Sequence, residues 1–200
     1  MLRYFLGLFF VLVFHPVFSS TTDSVTLSGV AHEYANYSLV FNVYADRVTM
    51  TEREVGRCVT DSSGQFSLKI TLRETQEVFC YLGIYKAFFY AEPGKNYSLL
   101  FPPRQDKSLA DDVNPFFKHE AMTLGVMNVV SSELNILIIR FDELFDPFIS
   151  LNFNYLYLYS DVQAVDSLKR VIENEFKDVN NVFFNNYKDY KLAFLYHLTY

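Results

Sequence analysis

The chain contains no tryptophan, and its only two cysteines, Cys58 and Cys80, stand 22 positions apart. That spacing excludes a Cys-x-x-Cys redox pair. The missing tryptophan removes the strongest stacking platform for sugars, although tyrosine can do the same job. Glycine is sparse, with seven residues at positions 7, 29, 56, 64, 83, 94 and 125. They never cluster into a loop that would cradle phosphate. No Gly-x-Ser-x-Gly elbow is present to carry a serine nucleophile. Basic residues are outnumbered, 17 Lys and Arg against 23 Asp and Glu, for a net charge of −6. Nucleic-acid affinity rests largely on Lys and Arg neutralising phosphates, so that balance argues against nucleic acid and equally against an anionic membrane surface. Past the first 19 residues the histidines are His32, His119 and His197, widely scattered. "HEAMT" begins like a zinc-protease helix, but Thr123 stands where the second histidine is required.

What the chain does have is aromatic mass, 21 Phe and 15 Tyr. The opening "MLRYFLGLFFVLVFHPVFSS" places Arg3 before an apolar run that ends at Phe14 and is broken by His15 and Pro16. It is shorter than the ~20 apolar residues a membrane span needs, and Ser19 offers a small residue for cleavage. We expect residues 1–19 to be a signal peptide, leaving an exported chain without a stable membrane span. Its removal takes Arg3 with it and the net charge to −7.

From Ser24 to Pro103 apolar residues alternate over short runs. Tyr37, Leu39, Phe41 and Val43 share one face; Phe66, Leu68, Ile70 and Leu72 share another. Period-2 patterning between turn signals predicts about seven half-buried antiparallel strands, a small sandwich or barrel over residues 20–103. Asp61-Ser62-Ser63-Gly64 and Glu92-Pro93-Gly94-Lys95 read as hairpin turns, the latter with Pro-Gly at the centre of a type II turn. Residues 104–131 have no sustained period and read as an ordered connector tacked down by Phe116 and Phe117. After Ser131 the period becomes helical. Leu134, Leu137, Ile138, Phe141, Leu144 and Phe145 form one stripe, which Pro147 should end or kink. Asp161 can cap a second helix striped by Val162, Val165, Leu168, Ile172 and Phe176. A third from Val182 carries Phe183, Tyr187, Tyr190 and Phe194. The pattern stops at Tyr200 without a cap, so residues 132–200 read as a helical region of about three helices cut short. The fold class is α+β, strands first and helices after.

Sequence alone assigns no catalytic, cofactor-binding or metal-binding residue. Asp142, Glu143 and Asp146 in "FDELFD" fall off the apolar stripe and read as a solvated face. Asp61 with Ser63 suggests a calcium loop but is far shorter than one, and a turn accounts for it. Cys58 and Cys80 are candidates for a disulfide across facing sheets, or else small buried hydrophobes.

The segment "FNVYADRVTMTEREVGRCVTDSSGQFSLKITL" resembles the exported bacterial modules called carboxypeptidase-regulatory-like. The resemblance centres on Thr60-Asp61-x-x-Gly64-x-Phe66-x-Leu68. "YAEPGKNYSLLFPP", "DDVNPFFKHEAMTLGV" and "SSELNILIIRFDELF" are similar to parts of a related β-domain found ahead of thioredoxin-like domains in exported proteins of Gram-negative bacteria. The resemblance implies a periplasmic or extracellular, non-catalytic scaffold or interaction module with no cofactor. Its partner would be a following domain or another envelope protein. It also implies an alternative, the N-terminal part of a thioredoxin-like oxidoreductase with its Trp-Cys-x-x-Cys site beyond residue 200. A third reading is glycan binding through exposed Tyr and Phe on the sandwich.

Overall fold

A computed structural model describes residues 23–127, 129–159 and 162–199. The expected leader at 1–19 and the expected cap Asp161 lie outside the described residues. Strands come first: β1 (Ser24–Val30), β2 (Ser38–Asp46), β3 (Thr51–Val59), β4 (Gln65–Thr71), β5 (Gln76–Leu82), β6 (Tyr85–Ala91) and β7 (Asn96–Leu100). A single helical turn, α1 (Leu109–Asp112), precedes β8 (Glu120–Thr123) and β9 (Gly125–Met127). Then follow α2 (Leu134–Tyr159), α3 (Val162–Glu175) and α4 (Val182–Leu198).

The mixed class and the strands-then-helices order agree with the sequence pattern, but the counts do not. Among the described residues nine strands form two sheets, ordered β4-β1-β7-β9 and β3-β2-β5-β6-β8, where seven were expected, and there are four α-helices in place of three. The two extra strands and α1 come from the supposed connector. Phe116 does not tack it down, being 84% exposed. Leu124 does, buried where the chain leaves β8 in one sheet to begin β9 in the other. The pairing is also not wholly antiparallel, because β1 runs parallel to β7 and β6 parallel to β8.

Neither conspicuous turn closes a hairpin. β3 and β4 belong to different sheets, as do β6 and β7, so both turns arch across the core. In the first arch the Asp61 carboxylate accepts from Ser63 N at 2.8 Å and Gln65 N at 2.9 Å. Thr60 Oγ1, accepting from Tyr37 N at 2.9 Å and donating to the Tyr34 carbonyl, pins the short 3₁₀ turn His32–Tyr34 beneath it. Gly64 has φ +81, and a Cβ there would collide with the Ala31 carbonyl. Each residue of the Thr-Asp-x-x-Gly-x-Phe pattern thus has a local task, ending with Phe66 buried in the core. In the second arch Lys95 N donates to Glu92 O at 3.3 Å and Gly94 has φ +79, as a type II turn requires. The rings of Phe89 and Tyr97 then meet at 5.3 Å from opposite sheets.

The inner faces of both sheets supply one apolar core, including Val25, Leu27, Phe41, Val78 and Leu99. The helices build a second, around Phe141, Phe145, Phe176 and Phe184. The α2 stripe behaves as expected, with Leu134, Leu137, Ile138, Phe141 and Phe145 buried and Leu144 half-buried. Pro147 neither ends α2 nor terminates its pattern; it lies inside the helix on the exposed side. There water can satisfy the carbonyl that loses its N–H partner. In α4 the buried residues are Phe184, Leu192 and Leu195, while Tyr190 and Phe194 face out. No helix among the described residues is long and apolar enough to cross a membrane.

Phe141 is fully buried against Phe145, Phe176, Phe184 and Tyr187. Phe141→Ala should cost about 3–5 kcal/mol, read by denaturant unfolding. A loss below about 1 kcal/mol would mean the helical core does not hold the fold.

Candidate binding groove at the sandwich–helix seam

The helices dock on the outer face of the five-stranded sheet through β6. The backbone groups of β6 on its β8 side pair as far as Phe88, whose carbonyl accepts from Leu124 N at 2.7 Å. The chain then departs for the other sheet, leaving the next outward pair, on Tyr90, without a strand partner. Asn135 in the first turn of α2 supplies one. Its Oδ1 accepts from Tyr90 N at 2.7 Å and its Nδ2 donates to Tyr90 O at 2.9 Å. Glu133 fixes that amide: its carboxylate accepts from Asn135 N and Nδ2, each at 2.8 Å, and from Ile136 N at 3.2 Å. Satisfying the first N–H groups of α2 while orienting Asn135 explains why a carboxylate is buried here. A second tie runs from the Glu92 arch, whose Oε1 accepts from Asn181 Nδ2 at 3.1 Å. Asn181 in turn caps α4 by accepting from Phe184 N at 3.0 Å.

These ties bring the Tyr90 ring against Phe183 at 5.4 Å and Tyr187 at 6.2 Å. Beside them opens a groove of about 580 Å³ walled by Tyr44, Tyr90, Phe183, Tyr187 and Tyr190, with Arg47 and Lys191 among its charged groups. That volume falls within the range of small-molecule sites. It continues past Tyr44, Ala45, Glu74 and Gln76 into a second cavity of about 510 Å³ lined by Arg53 and Arg73. Beside the groove, Asp142 accepts from the Tyr187 hydroxyl at 3.0 and 3.2 Å and lies 3.9 Å from Lys191 Nζ. Asp142 is therefore part of the α2–α4 interface, not the solvated face expected of it; Glu143 and Asp146 are exposed. Burial raises the Asp142 carboxyl above its ordinary value against the opposing pull of Tyr187 and Lys191. Burial, then the neighbouring Asp142 charge, also raises the Tyr187 phenol.

Cys58 and Cys80 are free thiols in one sheet, not on facing sheets as the disulfide reading supposed. They pair with Leu39 and Phe41 on either side of β2. Two strand spacings put their backbones about 9–10 Å apart. A disulfide spans less than about 7 Å between Cα atoms, so they cannot bridge without moving backbone. Burial raises both thiols, Cys80 the more strongly, so neither is an activated nucleophile. Among the described residues no three His, Cys, Asp or Glu gather as a metal site.

The aromatic row on the sheet's outer face is largely occupied. Lys86 lies 3.7 Å from the centroid of Phe79 and 4.3 Å from that of Tyr44, and it pairs with Glu52 at 3.3 Å. Phe79 is fully buried beneath it, and Tyr81 is partly open beside His119. The groove residues Arg47, Arg53, Arg73 and Lys191 were not singled out from sequence, and Tyr187 only as part of a helical stripe. The one available signal for the docking contact was Asn135, a polar residue inside the apolar run "LNILII".

No protein-family model matches the chain, and no curated protein does. Among solved structures, a 9R-lipoxygenase from Cyanothece PCC8801 aligns at 11% identity with a TM-score of 0.26. The alignment covers 64% of this chain and 23% of that one. A likeness at that level carries no conclusion about fold or activity.

Two outcomes follow. Iodoacetamide at pH 8 should leave Cys80 unmodified in the folded protein and label both cysteines after unfolding, with no disulfide mass change on reduction. Labelling of native Cys80 as fast as that of free thiol would contradict its burial. The raised Asp142 holds its proton to higher pH in the folded chain than in the unfolded one. Its contribution is complete below the ordinary carboxylate range and declines as pH rises through the raised value. Asp142→Asn should therefore lose less Tm than wild type between that range and neutrality. Parallel Tm–pH curves would refute the assignment.

Proposed function

We propose that this chain is an exported, non-catalytic interaction module of the bacterial envelope, and that the seam groove is where it engages its ligand. The groove carries the reading: two packed cores hold aromatic rings and basic side chains around an open channel. Arg53 and Arg73 are exposed, and neither makes an ion pair with a described carboxylate. Cationic groups left available beside stacking faces suit recognition more than stability. The resemblance to exported carboxypeptidase-regulatory-like modules supports the compartment and the role. The oxidoreductase alternative draws nothing from half-buried Cys58 or buried Cys80, whose thiols are disfavoured as thiolates.

The test is photo-crosslinking in the native host with a benzophenone amino acid in place of Tyr190, which is 75% exposed at the groove. The control replaces Asn174, exposed on α3. Discrete adducts from position 190 and none from 174 are expected. No adduct at 190, or equal adducts at both, would defeat the proposal.

A further inference from the structure

We propose that the seam groove takes an acidic oligosaccharide of the uronate class, an inference that rests on the groove being the ligand site. The first observation is charge. On a chain of net charge −6, Arg47, Arg53, Arg73 and Lys191 converge on two contiguous cavities whose linings contain one carboxylate, Glu74. Glu77 and Asp142 engage Arg47 and Lys191 from beside the groove, at 3.6 and 3.9 Å. The surplus cations are thus Arg53 and Arg73. Guanidinium groups meet carboxylates through two parallel hydrogen bonds, so this end selects a carboxylate-bearing ligand.

The second observation is the kind of wall. Tyr44, Tyr90, Phe183, Tyr187 and Tyr190 supply ring faces, and Thr71, Thr75 and Gln76 supply neutral hydrogen-bonding groups. A uronate chain has the matching parts: one carboxylate per ring, hydroxyls at the ring edge and C–H faces that pack on aromatics. An acidic peptide would match the charge, since Arg clusters bind acidic motifs, but it brings neither the row of hydroxyls that the neutral polar groups can bond nor the C–H ring faces that pack on the aromatics. The groove runs where β2 and β4 finish and β5 begins, and presents these side chains together. Rings on α4 and guanidiniums on the sandwich then clamp one ligand from two sides, which explains why the seam is held so firmly.

The test is calorimetric titration of the intact chain at moderate salt with tetragalacturonate, cellotetraose and pentaglutamate. We expect binding of tetragalacturonate alone, weakened about tenfold or more by Arg53→Gln and by Arg73→Gln. Tyr190→Ser should weaken it about fivefold by loss of one stacking face. All three residues are exposed, and unchanged melting temperatures would confirm intact folding. Equal binding of cellotetraose, preference for pentaglutamate, or no binding of any probe would each overturn the proposal. Adducts at position 190 with no tetragalacturonate binding would retain the module reading and reject only this ligand class. Loss of both would reject the groove as a ligand site.

Discussion

The two hydrogen bonds between the Asn135 amide and the Tyr90 backbone fix how the helical layer meets the sandwich. β6 must have its outward N–H and C=O satisfied once β8 has turned away, and a buried pair left open would cost about 1–3 kcal/mol per group. Asn135 presents a donor and an acceptor side by side and so stands in for a strand residue. Glu133 holds the amide in that orientation while capping α2, which couples the start of the helix to the edge of the sheet. The position of α2 sets that of α4 through Phe141, Phe184 and Tyr187, and the Glu92–Asn181 contact ties the same helix to the arch after β6. Removing Asn135 would leave both cores and the Glu92–Asn181 tie in place but take away the bonds that set the edge of β6 against α2.

Tyr90 is the hinge of the electrostatics as well. Its ring joins the helical core although its strand belongs to the sandwich, so the surfaces on either side of it form a single channel. Half-buried Asp142 and Tyr187 bond each other beside the groove, and exposed Arg53 and Arg73 leave its far end positively charged. The charge of the chain as a whole is of the opposite sign. That local reversal comes from loops and strand ends far apart in sequence.

Much of the architecture was legible in the residues. Alternation identified strands such as β2 and β4 because each presents one face to a core and one towards solvent, as Leu39, Phe41 and Val43 do in β2. The stripes of α2 and α3 were legible for the same reason at helical period. β8 and β9 were not, because strands of four and three residues with one buried anchor, Leu124, carry too little pattern to register. Pro147 does not end α2 because its position on the outer side of the helix makes its missing hydrogen bond inexpensive. Asp142 misled because one helix's stripe says nothing of a second helix arriving beside it.

The sequence by itself determined the local chemistry: strand and helix periods, the glycines at positive φ in the two arches, and two thiols too far apart in the chain to form a redox motif. Tertiary structure decided everything that depends on which element lies beside which. Turn residues specify the bend of the backbone but not whether the next strand returns to the same sheet. Hence Asp61–Gly64 and Glu92–Lys95 were recognised as turns and misread as hairpins. The groove lay beyond sequence for the same reason: its cations sit on β3, on the loops after β2 and β4 and on α4, and its rings largely on β6 and α4. Only packing of two separate cores brings them together.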